Sequence, residues 1–280
     1  SIRGAYWRAA YKMFAQDPIT GLGLGSYGDF YRVFRDSNAL VVPGVEVSTD
    51  TAHNTILDFL SGGGILLTLP YLFVLAYALY KSVHLVRRHK DFDLIFVSLF
   101  ATWICYVAQS IISINQIGLA IWGWILSGLL ISYTHKRLLI DINVPDQKIN
   151  SKTKKNYDQN LTAGKFVNLI SIIVLGSFIV LPPQVSEIRW AQSARSGSAQ
   201  GLIAAMNQWP QSSNRYLVTS KALAGSNMGP EAIEALKRLT RFNPNNRDAW
   251  LILANYNDEA WSAKAKAKLK LLDPLNKEFN

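Results

Sequence analysis

Cysteine, clustered metal ligands and, over long stretches, charge of either sign are what this sequence lacks. One cysteine, Cys105, stands in 280 residues, so no internal disulfide can form, and its place inside an apolar run says nothing about redox compartment. The four histidines, His53, His84, His89 and His135, are too scattered along the chain to form the close ligand group of a zinc site, and no metal or other cofactor is expected. No Asp, Glu, Lys or Arg occurs between residues 94 and 135, which excludes a soluble surface for that stretch. The opening residues also lack the basic, apolar and small-residue order of a secretory signal, and the chain begins at Ser1 without an initiator Met. It therefore reads as a piece of a longer protein.

Against these absences stands a large basic excess, a formal charge of +10 with a pI near 9.6. In a soluble protein this would point to nucleic acid, but the basic residues flank apolar runs, the pattern of a membrane protein, and no nucleic-acid partner is expected. Residues 59–80 carry no charge, and 22 helical residues at ~1.5 Å each cover the ~30 Å hydrocarbon core. The uncharged run from 94 is too long for one helix. It divides at Ser113, Asn115 and Gln116 into spans at 94–114 and 117–133, and a shorter fourth span at 166–181 is closed by Pro182 and Pro183. Lys81, Arg87, Arg88 and Lys90 follow the first span, and Lys136, Arg137, Lys148, Lys152, Lys154, Lys155 and Lys165 follow the third. Both basic loops, the second covering 134–165, are thus assigned to the cytoplasm. Residues 1–58 and 182–280 are left on the non-cytoplasmic side. In the first of these, ahead of Asp58, five basic residues balance Asp17, Asp29, Asp36, Glu46 and Asp50. The fold class is all-α, a polytopic transmembrane bundle plus a small helical-repeat domain, with membrane lipid as an obligatory partner.

The repeat lies in 182–280. Trp209-Pro210 is followed by Tyr216-Leu217 at the same offset as Asn243-Pro244 by Trp250-Leu251, and the two prolines stand 34 residues apart. That is the tetratricopeptide period, in which a proline closes one helix pair and an aromatic of the next helix packs on it. Residues 230–241 place Ala232, Ile233, Leu236 and Leu239 at helical spacing. Only about two repeats are visible where ~3 are needed for independent stability, so the module is expected to lean on the membrane domain or on a protein partner. Lys264, Lys266, Lys268 and Lys270 read as a solvated helix face.

Two features of residues 1–58 could carry chemistry. Glycines at 21, 23, 25 and 28 lack the strand-helix context and the Lys-Ser/Thr of a nucleotide loop, and instead suggest a flexible turn that folds a short amphipathic helix, about 6–14, back onto the membrane surface. His53, followed by Asn54 and with Asp58 one turn on, opens the first span. An imidazole at a low-dielectric mouth is suited to accept a hydroxyl proton, although a lone histidine there is often a polar interface residue. Arg3 is its candidate partner, because a guanidinium keeps its charge and forks onto phosphate oxygens.

Taken together, Arg3 with the aromatic pair Tyr6-Trp7, Asp17-Pro18 with its Gly-x-Gly-x-Gly turn, and Ala52-His53-Asn54 followed by Gly64 and Thr68 resemble the C-terminal part of the O-antigen ligase and polymerase superfamily. The similarity covers residues 1 to about 133, and the repeat-bearing tail resembles an appendage of some members. It implies a GT-C-like membrane glycosyltransferase of the bacterial plasma membrane. Such an enzyme moves a glycan from a polyprenyl diphosphate-linked donor onto a glycan, lipid or protein acceptor at the outer face, without nucleotide sugar or metal. By the resemblance His53 corresponds to the base and Arg3 to the diphosphate contact, with Asn54, Arg8, Arg32, Arg35 and Tyr27 as further candidate substrate-binding residues. Family members have about a dozen spans where this chain has four. A different class of function, a non-catalytic scaffold recruiting envelope-assembly partners through the repeats, is the alternative. A transporter or channel finds no support, since the second to fourth spans lack intramembrane charge.

Overall fold

A computed structural model of the chain describes residues 1–89, 91–114, 116–142 and 151–279. Among them every regular element is helical, in two compact units, Ser1–Val144 with Leu269–Asn280, and Pro145–Lys268.

The first unit opens with α1 (Ile2–Gln16), capped where the Ser1 hydroxyl accepts from the Gly4 amide at 3.3 Å. Its recurrence of Ala5, Tyr6, Ala9, Ala10 and Met13 makes one face of small and aromatic side chains, and that face is buried against α2 (Tyr27–Phe34) and α3 (Thr55–Arg88). The predicted amphipathic helix is thus longer than 6–14 and lies on other helices, because alanines let its backbone approach them closely. A 3-10 turn, Ser37–Leu40, follows α2, with the Asp36 side chain accepting from the Ala39 amide. Beyond α3 come α4 (Leu94–Ser110) and α5 (Ile117–Ile142), which pack with it around Ala78, Leu85, Phe96, Trp103 and Leu130. Where apolar burial from lipid contributes little, close approach and hydrogen bonds hold helices together. Gly123 accordingly lies where any Cβ would run into the Tyr106 ring, and the Trp103 indole donates to the Ser127 hydroxyl at 2.9 Å.

The glycine turn is not the flexible hinge the sequence suggests. Gly64 has φ 59° and ψ −158°, which breaks α3 and would strand backbone groups on either side. Residues 18–23 supply the missing partners. The Leu22 and Gly23 amides donate to the Ser61 and Gly62 carbonyls at 2.8 and 3.0 Å, while the Ile65 and Leu66 amides donate to the Pro18 and Ile19 carbonyls at 2.9 and 3.2 Å. The approach admits only glycine. A Cβ on Gly21 would stand 2.5 Å from the Gly62 carbonyl carbon, and one on Gly64 would strike the Ile19 carbonyl. Thr68 completes the motif by donating its hydroxyl to the Gly64 carbonyl at 2.7 Å.

The second unit comprises α6 (Ser151–Arg195), α7 (Ala199–Met206), α8 (Ser213–Gly225), α9 (Gly229–Phe242), α10 (Arg247–Ala254) and most of α11 (Glu259–Leu272). The 34-residue offset is visible in the helix starts, because Ser212 caps α8 and Asn246 caps α10 through their side chains. Tyr216 and Trp250, at that same offset, are both buried, the first donating to Asn207 Oδ1 and the second to the Pro244 carbonyl, each at 2.8 Å.

Among the described residues three helices are long and apolar enough to cross a membrane, Thr55–Arg88, Ile117–Leu138 and Gly164–Arg195. The predicted second span, 94–114, is the 17-residue α4, which at ~1.5 Å per residue falls short of the ~30 Å core. Two boundaries need correction. The predicted loop 134–165 is entered by α5 from one side, up to Ile142, and by α6 from the other, from Ser151, since polar residues such as Lys and Gln extend a helix as readily as Leu does. Pro182 and Pro183 lie inside α6 and do not close it. Each removes one helical amide, yet the turn continues, with the Ser186 hydroxyl donating to the Pro183 carbonyl at 2.8 Å. Of the predicted loop and turn residues, Lys90, Asn115 and Lys148 lie outside the described residues, as do the side chains of Lys152, Lys154 and Lys155.

Gly64→Ala should therefore lower stability by more than about 2 kcal/mol, combining left-handed backbone strain with the clash. Gly128→Ala on α5, where an added Cβ meets nothing, should be neutral or slightly stabilising. Thermal unfolding in detergent checks both, and equal melting of the two variants would refute the steric role given to Gly64.

Candidate functional site

His53 stands between a pinned residue and a helix cap. The Ala52 amide donates to Asp58 Oδ1 at 2.6 Å, and Asn54 caps α3 by accepting from the Leu57 amide at 3.0 Å. To join these two, His53 takes φ 56°, a left-handed conformation that costs a non-glycine residue about 1 kcal/mol or more. Its ring, half-buried, stacks on Tyr6 at 5.5 Å and 19°, and its side chain makes no hydrogen bond among the described residues. The Asn54 amide nitrogen donates to the Ile111 carbonyl at 2.8 Å and so ties the start of α3 to the end of α4. Asn54 thus serves as cap and tether, with both ends of its side chain engaged.

Tyr6 organises the aromatic group beneath His53. Tyr31 meets it edge-on at 5.4 Å, and Tyr27 donates its hydroxyl to the Tyr6 carbonyl at 2.7 Å. Burial, with the Asp58 carboxylate next in weight, raises the Tyr27 phenol well above its ordinary pKa, so it is a permanent donor. Burial likewise raises the Tyr6 and Tyr31 phenols. The Tyr31 and Thr55 hydroxyls are buried without a hydrogen-bond partner among the described residues.

The arginines separate into three situations. Arg3, in the first turn of α1, is exposed and makes no ion pair among the described residues, and residues three apart on a helix share a face, which puts it one turn from Tyr6. Arg8 is engaged, its Nε 2.5 Å from Asp36 Oδ2. That hydrogen bond holds the Asp36 carboxyl below the ordinary aspartate range. Since its folded-state pKa is depressed, whatever stability the pair adds is present above the unfolded value and lost as pH falls through the folded one. Arg32 and Arg35 are buried. Both donate to the Val45 carbonyl, at 2.8 and 2.6 Å, and Arg32 also to that of Glu46 at 2.6 Å. The two oxygens of Asp273, a side chain with no exposed surface, receive Arg32 at 3.2 Å and Arg35 at 2.7 Å.

Of the residues proposed from sequence, the structure thus brings His53 and Tyr27 onto Tyr6, one turn along α1 from Arg3, and sets Asn54 as the helix cap beside His53, while Arg8, Arg32 and Arg35 are held by carboxylates. Sequence reasoning passed over Tyr6 as a packing partner of His53, though its place one turn after Arg3 was a usable signal. Nothing in sequence could have paired Asp273 with arginines more than 230 residues away. Among the described residues no group of three or more His, Cys, Asp or Glu side chains is placed to hold a metal ion.

Asp273→Asn leaves two buried guanidinium groups without their carboxylate and should cost about 3–5 kcal/mol. Asp36→Asn, at a partly exposed pair, should cost about 1 kcal/mol or less. Urea unfolding followed by tryptophan fluorescence distinguishes them, and comparable midpoints would contradict the weight given to Asp273. No family model matches this chain, and no curated protein or solved structure matches it either.

Proposed function

We propose that the chain carries the acceptor-activating site of an O-antigen ligase-like membrane glycosyltransferase, which transfers a glycan from a polyprenyl diphosphate carrier to an acceptor hydroxyl at the outer face of a bacterial plasma membrane. The observation that carries this reading is His53 itself, held in a left-handed backbone and stacked on Tyr6 at the start of a membrane-length helix. Its imidazole is not consumed by structure, and costly backbone conformations persist where function needs them. Arg3, without an ion pair among the described residues and one turn from Tyr6, supplies a cation on the same helix face.

In this reaction the acceptor oxygen attacks the anomeric carbon and gives its proton to the His53 imidazole. The bond from that carbon to the diphosphate oxygen breaks, and the leaving diphosphate takes the electron pair, stabilised by the Arg3 guanidinium. Attack opposite the leaving group inverts the anomeric centre. The buried hydroxyls of Tyr31 and Thr55, without partners among the described residues, are polar groups of the kind that sites retain for ligands. Helices long and apolar enough to cross a membrane fit a donor that stays embedded through its polyprenyl chain.

A second reading, a scaffold that recruits envelope-assembly proteins through α7–α11, rests on the paired helices and their 34-residue offset. Deleting the tail would not separate the two, because it also removes Asp273 from Arg32 and Arg35. Replacing the base does. His53→Asn preserves the left-handed backbone, which asparagine tolerates, and should lower glycan transfer about 100-fold or more. Membranes bearing the variant, supplied with a polyprenyl diphosphate-linked glycan, give the readout. Undiminished transfer with normal accumulation of the protein would sink the catalytic reading and favour the scaffold.

A further inference from the structure

At the opposite end of α3 and α4 from His53, the first unit has a half-open cavity of about 380 Å³ that the proposed transfer does not use. One wall is apolar, with Leu85 and Val86 from the last turns of α3, Phe92 from the connecting turn, and Phe96 and Val97 from α4. The other wall is charged, with Asp91, Asp93 and Arg137 beside His89. A cavity divided in this way suits an amphiphile lying along the helices with its polar group at the bundle's end.

The charges define which amphiphile. Asp93 is committed to the protein, since it caps α4 through the Phe96 amide at 3.1 Å, accepts from the Tyr133 hydroxyl at 2.8 Å, and lies 3.2 Å from Arg137 Nε. Among the described residues the Nε edge of Arg137 alone meets a carboxylate. The outer nitrogens of the guanidinium, on a side chain 39% exposed, can then fork onto phosphate oxygens. Asp91 is exposed and adds an acidic group on the same wall. A phosphate alone would satisfy Arg137 but be repelled by Asp91, whereas a phosphate joined to a primary ammonium answers both.

We propose that this cavity binds an aminophospholipid, with the phosphodiester on Arg137, the ammonium on Asp91, and the glycerol and first acyl carbons against Leu85, Phe92, Phe96 and Val97. Hydrogen bonding selects the amine, because a quaternary ammonium has no N–H to give Asp91 and a glycerol headgroup has no charge to offer it. The site is independent of glycan transfer and would stand if that reading failed.

Native mass spectrometry of the delipidated full chain tests this with phosphatidylethanolamine, phosphatidylglycerol and phosphatidylcholine of identical acyl chains. Phosphatidylethanolamine should bind about tenfold more tightly than either of the others, because it alone brings charged N–H donors to the Asp91 carboxylate. Arg137→Gln should reduce all phosphate-dependent binding, and Asp91→Asn, at an exposed position that does not threaten folding, should erase the preference for the ethanolamine headgroup while leaving phosphatidylglycerol binding equal or stronger. Equal affinity for the three lipids, or a preference unchanged in Asp91→Asn, would overturn the proposal. Free phosphoethanolamine binding as tightly as the lipid would also overturn it, by identifying a soluble phosphate monoester as the ligand.

Discussion

Four backbone hydrogen bonds between residues 18–23 and the interruption of α3 are the constraint from which the geometry of the first unit follows. A helix broken inside lipid strands amides and carbonyls that have no water to turn to, each a loss of several kcal/mol. The loop after α1 supplies both kinds of partner, so the break and the loop exist only together. That mutual dependence fixes where α1 ends, and through Tyr6 it sets the surface on which His53 rests. It also accounts for the glycines without appeal to flexibility. Gly21 and Gly64 are required because two backbones meet with no room for a Cβ, and both hold positive φ.

A second constraint acts from the far end of the sequence. Asp273 lies between Arg32 and Arg35, and the same guanidinium groups grip the Val45 and Glu46 carbonyls in the segment leading toward His53. The carboxylate therefore holds arginines that in turn shape the approach to the candidate base. With Arg32 and Arg35 buried on Asp273 and Arg8 on Asp36, Arg3 is the arginine of the 1–58 segment that makes no ion pair among the described residues. Burial and pairing single it out from residues that composition alone could not rank.

What the sequence made legible was whatever depends on local pattern. Uncharged runs located the apolar helices of α3, α4, α5 and α6, and the proline offset located the starts of α8 and α10. Boundaries failed where a local rule met a nonlocal remedy. Pro182-Pro183 reads as a helix end, yet α6 continues, and Gly62-Gly63-Gly64 gives no sign of a partner forty residues upstream. For the site, His53 and Arg3 were visible as chemistry, whereas the engagement of Arg32 and Arg35 was not, because ion pairing across the chain leaves no periodic trace.

The bundle of α3, α4 and α5 carries its polar bonds chiefly at its two ends, and the reason is the medium. Apolar side chains gain little by leaving lipid for one another, so register must come from hydrogen bonds and close approach. Within the bundle Trp103 on Ser127 serves, and at the ends Asn54 reaches Ile111 while Asp93 gathers Tyr133 and Arg137. The same ends are where apolar wall and charge meet, which any ligand with a lipid portion and a phosphate requires. His53 beside the Asn54 tether and the cavity beside Asp93 are thus two uses of one design rule. A helix bundle in lipid can place polar chemistry cheaply only where its helices stop or break, and this unit does so at both ends.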